Sequence, residues 1–119
     1  MRVLIVDDEQ LIADTLAMIL KEHGFEAMAV YSGELAISAA ITMKPDLLIS
    51  DLMMRGLDGI DTAVQIRALM PDCKIILYSG HVDMSDLLLQ DRLEEHSLEI
   101  LPKPLHPQTL LTRIRALCN

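Results

Sequence analysis

Four short apolar runs, each closing on polar residues, constrain this chain more than any other feature of it. RVLIV runs into Asp7 and Asp8, DLLIS into Asp51, KIILY into Ser79, and EILP into Lys103. Unbroken runs of this length read as strands buried on both faces, the mark of a parallel sheet covered by helices. In an open α/β sheet of that kind the carboxyl ends of the strands share one side, and ligands bind there. Three carboxylates, one hydroxyl and one ammonium are therefore expected in a single crevice, a set suited to a divalent cation and a phosphoryl group.

Between these runs the apolar spacing changes to that of helices. Residues 10–23 carry Ile12, Leu16, Ile19, Leu20 and His23 at helical intervals and stop at Gly24. Residues 25–30 form a further short strand, and Ser32 is the expected N-cap of a helix reaching residue 43. The thin stripe of Ala36, Ala39, Ala40 and Met43 lets that helix lie close to a sheet. A third helix is expected over 59–70 and a fourth over 84–95, with Met84, Leu87 and Leu88 as its buried stripe and Leu89 and Leu93 turned elsewhere. Pro107 suits the first position of the last helix, in which Leu110, Leu111, Ile114, Leu117 and Cys118 make one stripe.

Five strands alternating with five helices through short connections require right-handed crossovers and a doubly wound parallel sheet. In a flavodoxin-like strand order, 2-1-3-4-5, the first and third strands are neighbours. Asp7, Asp8 and Asp51 would then face Ser79 and Lys103 across one crevice. With 119 residues, 51% of them hydrophobic, the whole of 1–119 is expected to form one domain.

A net charge of −8, with one Phe, two Tyr and no Trp, argues against direct binding of nucleic acid, which calls for basic patches and stacking aromatics. No apolar run approaches the roughly 20 residues that span a bilayer, so a membrane role is not expected and the cytoplasm is the expected compartment. Cys73 and Cys118 are too few and too isolated for a disulfide framework or a zinc site, and read as buried or half-buried thiols.

Three crowded carboxylates need positive charge: two unit charges 4 Å apart repel by about 4 kcal/mol at an effective dielectric of 20. Lys103 supplies one charge. Mg²⁺ supplies two and takes hard oxygen ligands, whereas zinc would call for His or Cys that do not accompany these acids. With the charges balanced, one carboxylate can accept a phosphoryl group, giving an aspartyl phosphate.

The stretches VLIVDDE (3–9), PDLLISDLMM (45–54), GLDGI (56–60), IILYSG (75–80) and LPKP (101–104) together resemble the receiver domain of bacterial two-component response regulators over essentially the whole chain. The resemblance implies a phosphorelay switch with Asp51 as phosphoacceptor and a sensor histidine kinase or phosphotransfer protein as donor. It implies Mg²⁺ held by Asp8, by Asp51 and by the backbone carbonyl of Met53, with Asp7 acting mainly through a metal-bound water. Ser79 would be the switch hydroxyl, and Lys103 the phosphate-pairing lysine, commonly joined to Pro104 by a cis peptide bond. The output would be a change of conformation and partner binding, with no catalysis beyond the domain's own phosphorylation and dephosphorylation.

The chain departs from the family pattern at three positions. Ile100 stands where an aromatic residue usually precedes the lysine, Arg55 replaces a common Pro in the loop after Asp51, and Gly80 replaces the usual Ala after the switch hydroxyl. His81 is expected at the rim of the site or in solvent. Leu89 and Leu93 suggest a homodimer or partner contact on the face of the fourth helix, fifth strand and fifth helix, with burial in a shifted helix as the other reading. Two rival functions are a metal-dependent phosphohydrolase working through an aspartyl phosphate and a pseudo-receiver that binds partners without phosphate. With the chain ending one helix past Lys103, either a stand-alone receiver or one part of a larger regulator is expected.

Overall fold

The computed structural model describes residues 1–80 and 85–118. Five strands, β1 (Arg2–Val6), β2 (Glu26–Val30), β3 (Leu47–Asp51), β4 (Lys74–Ser79) and β5 (Ile100–Pro102), alternate with five helices. The helices are α1 (Gln10–Glu22), α2 (Gly33–Met43), α3 (Gly59–Leu69), α4 (Leu87–Glu95) and α5 (Pro107–Cys118). All strand pairs are parallel, in the expected order β2-β1-β3-β4-β5.

Because side chains alternate across a strand, each central strand feeds two cores. Val3 and Ile5 of β1, Leu47 and Ile49 of β3, and Ile76 and Tyr78 of β4 face Leu16 and Leu20 of α1 and Leu110, Leu111 and Ile114 of α5. Leu4 and Val6, Leu48, and Leu77 face the other way, onto Ala36 and Ala40 of α2 and Ile60, Ala63 and Ile66 of α3. The alanine stripe of α2 thus lies against the sheet as its sequence requires. Ser32 caps that helix, its hydroxyl accepting the Leu35 N–H at 3.1 Å. Asp58 caps α3 in the same way, accepting the Asp61 N–H at 2.8 Å.

The fourth helix differs from its expected form. It begins at Leu87, with the Asp86 carboxylate accepting the Leu89 N–H at 3.2 Å, so Ser85 and Asp86 lie outside the helix expected over 84–95. Leu87 and Leu88 are 74% and 78% exposed, while Leu89 and Leu93, one turn apart, pack with Ile100 against the core shared with α2 and α3. Leu89 and Leu93 are thus half-buried against the core, as the alternative reading of a shifted helix expects. Arg92 bonds Asp58, the cap of α3, and Asp61 within that helix, each at 3.0 Å, and Arg67 donates to the His96 carbonyl at 2.6 Å. Met84 and His81 lie outside the described residues. Cys73 is buried, which pushes its thiol up to about 11, and Cys118 is half-buried. Among the described residues no helix is long and apolar enough to cross a membrane.

Candidate functional site

The alternation that builds the core also builds the site. Asp7 continues the face of Val3 and Ile5, Asp51 that of Leu47 and Ile49, and Tyr78 that of Ile76, so all three emerge on one face at the carboxyl end of the sheet. Asp51 and Tyr78 are direct neighbours across β3 and β4. Gly59 allows α3 to start hard against this edge: a methyl group there would stand 2.3 Å from the Asp51 carbonyl oxygen.

Carboxylate oxygens of Asp7, Asp8 and Asp51 lie within 4.8 Å of one another. Asp7 is fully buried and both its oxygens are engaged. Oδ1 accepts the Glu9 N–H at 2.9 Å; Oδ2 accepts the Tyr78 hydroxyl at 2.8 Å and lies 3.5 Å from Lys103 Nζ. The same ammonium is 3.3 Å from Asp51 Oδ2, and Asp51 Oδ1 accepts the Met53 N–H at 3.4 Å. Asp8, at the solvent side, accepts the Arg55 N–H at 3.2 Å, and the Arg55 guanidinium Nε is 3.8 Å from the same oxygen.

Burial raises the Asp51 carboxyl above the ordinary carboxylate range, and the neighbouring Asp7 charge adds to this while Lys103 opposes it. The single ammonium of Lys103 does not offset the two buried carboxylates of Asp7 and Asp51. Burial and the Asp7 charge also drive the Tyr78 hydroxyl far above its usual range, so it remains a donor at every physiological pH. The donor set fits Mg²⁺: it consists of hard carboxylate oxygens, with no His or Cys in the cluster among the described residues.

Ser79 is buried at the end of β4, paired with Pro102, and its carbonyl accepts the Lys103 N–H at 2.9 Å, which ties the lysine loop to that strand. The Lys103–Pro104 peptide bond is cis. Met53 follows β3 with its side chain exposed. A methyl group on Gly80 would meet Lys103 Cδ at 3.6 Å, an ordinary contact, so an alanine would fit here as well. Ile100 packs with Leu89 and Leu93 under α4.

Sequence reasoning overlooked Tyr78, which it treated only as the end of an apolar strand. The available signal was a phenol in an otherwise aliphatic run, because a buried Tyr places its hydroxyl on a partner. Lys103 Nζ also lies 5.0 Å from the centre of the Tyr78 ring, a cation–π distance.

The family model for the response regulator receiver domain matches residues 3–115. The chain belongs to this family. It is a receiver domain of the two-component signalling type, with Asp7, Asp8 and Asp51 clustered in an acidic pocket at the carboxyl edge of its sheet. The DNA-binding response regulator MtrA of Mycolicibacterium paratuberculosis is 33% identical over 115 residues, covering 97% of this chain and 50% of that protein. The chain thus spans about half the length of the curated relatives it matches. Among solved structures, the signal receiver domain of a modulated diguanylate cyclase from Desulfovibrio desulfuricans G20 is 31% identical with a TM-score of 0.84, covering 98% of this receiver and 91% of that chain. The chemotaxis protein CheY4 of Vibrio cholerae shares the fold at a TM-score of 0.86 and 23% identity, covering 98% and 97% of the two chains.

Proposed function

We propose that residues 1–119 form one receiver domain in which Asp51 accepts a phosphoryl group from the histidine of a sensor kinase or phosphotransfer protein, in a Mg²⁺-dependent step. The observation that carries this reading is the position of Lys103 Nζ, 3.3 Å from the Oδ2 of Asp51, itself one of three clustered carboxylates.

Asp8, Asp51 and the Met53 carbonyl would hold Mg²⁺, with Asp7 acting through a water. When bound, the metal supplies the positive charge that the equatorial phosphoryl oxygens require. An Asp51 oxygen attacks phosphorus, the P–N bond of the donor phosphohistidine breaks, and its electron pair returns to the imidazole nitrogen, which takes up a proton. Lys103 then pairs with the transferred group, and the Ser79 hydroxyl bonds one of its oxygens. That movement of Ser79 favours a second conformation of the receiver, which changes the partners it binds. Removal of the phosphoryl group is the only other reaction assigned to the domain.

Beside the site, a largely apolar groove of about 500 Å³ between α1 and the Pro104–Leu105 segment is lined by Leu11, Ile12, Thr15 and Leu16 and reaches Lys103. A helix of the donor protein suits this groove, with its phosphohistidine directed at Asp51. Relatives named as DNA-binding response regulators suggest an output beyond this domain, and the acidic charge of the receiver suits a protein partner for it.

The test is a count of phosphate. With Mg²⁺ and excess small phosphodonor, the receiver retains up to one phosphoryl group per chain, and chelation of the metal prevents this. Sustained release of many phosphates per chain at enzymatic rates would instead favour a phosphohydrolase.

A further inference from the structure

We propose that Tyr78 is a positioning residue for the metal site, its hydroxyl fixing the Asp7 carboxylate so that Asp7 serves the cation through a water. The inference rests on the Mg²⁺ site proposed above. Tyr78 is fully buried, and its hydroxyl reaches across β3 to Asp7 Oδ2 at 2.8 Å, the shortest of the contacts described at that carboxylate. With the Glu9 N–H on Oδ1 and the phenol and ammonium on Oδ2, three of the roughly four lone-pair directions of Asp7 are taken. The carboxylate cannot turn toward a cation without breaking one of these bonds. Its remaining capacity would serve a water on the metal.

The phenol has a second effect, on Lys103. By satisfying Asp7 Oδ2 at close range it leaves the ammonium at 3.5 Å from that oxygen and nearer to Asp51, at 3.3 Å, while the ring face offers the ammonium a further attraction at 5.0 Å. Without the hydroxyl, a fully buried carboxylate would draw Lys103 to itself and away from Asp51. Groups that hold a metal site's carboxylates from behind commonly contribute tenfold to hundredfold in metal affinity.

Tyr78→Phe keeps the ring, its packing and its face toward Lys103, and removes only the hydroxyl. Titration with Mg²⁺ alone, followed by calorimetry, should give a dissociation constant about tenfold weaker than that of the parent. The melting temperature without metal separates this from a packing defect: an effect on folding alone would lower it and leave the dissociation constant unchanged. The chain has two tyrosines and no Trp, so Tyr31→Phe leaves Tyr78 as the only source of aromatic emission of its kind. In that variant Mg²⁺ should change tyrosine emission along the same binding curve. Equal Mg²⁺ affinity of Tyr78→Phe and parent, or Tyr78 emission indifferent to saturating Mg²⁺, would overturn the role of Tyr78 while leaving the metal site intact. Absence of saturable Mg²⁺ binding by the parent would overturn the site and this role together.

Discussion

Lys103 Nζ lies 3.3 Å from Asp51 Oδ2 and is itself largely enclosed, with 20% of its side chain exposed. It is the ammonium that Asp7 and Asp51 share, and its loop is tied to β4 through the Ser79 carbonyl. Lys103→Gln keeps a polar side chain, one bond shorter, and removes the charge. Phosphoryl incorporation from a small donor should slow by about a hundredfold, as expected when one charged donor to a developing oxyanion is lost. The rate of incorporation at saturating Mg²⁺ checks this; a rate within twofold of the parent would show that the ammonium does not act on the phosphoryl group.

Asp51 predicts a pH dependence of stability with a definite sign. Its carboxyl is raised in the folded state by burial and by Asp7, so over the window above its ordinary value the folded chain holds a proton that the unfolded chain has released. Below about pH 3 both states are protonated and the group costs nothing. As pH rises through the ordinary value and then through the raised one, ionisation of Asp51 removes stability. In the presence of a chelator, Asp51→Asn should therefore melt several degrees above the parent at neutral pH. The difference should close on acidification, and Mg²⁺ should raise the melting temperature of the parent more than that of the variant. Thermal unfolding across this range, with and without the metal, measures both effects.

The α4 leucines separate burial from surface. Leu93→Ala, which removes a half-buried side chain from the α2 and α3 core, should cost about 1–2 kcal/mol, below the roughly 2–5 kcal/mol of a fully buried leucine. Leu88→Ala should change stability by less than about 0.5 kcal/mol. Urea denaturation of the two variants decides the assignment, since the order reverses if the stripe of Leu87 and Leu88 faces the core.

The difference between the expected and observed α4 indicates what sequence pattern can carry. Strands β1, β3 and β4 are buried on both faces, so their unbroken apolar runs identify them, and the polar residue after each run locates Asp7, Asp51 and Ser79 at one edge. The phase of α4 depends on where the helix starts. That start is set by Asp86 and by the pull of Asp58 and Asp61 on Arg92, contacts that join α4 to another helix. Five leucine and methionine positions in the span 84–93 offer two overlapping stripes, and periodicity alone does not choose between them. Tyr78 escaped notice for a related reason. Its ring satisfies the strand pattern, whereas its hydroxyl acts on Asp7, two strands away.

The central claim is that Asp51 is the phosphoacceptor, and intact-mass spectrometry after incubation with Mg²⁺ and a small phosphodonor tests it most directly. The parent should gain one phosphoryl group, Asp51→Asn should gain none, and chelation of the metal should abolish the gain in the parent. Equal incorporation by Asp51→Asn and the parent would contradict the account.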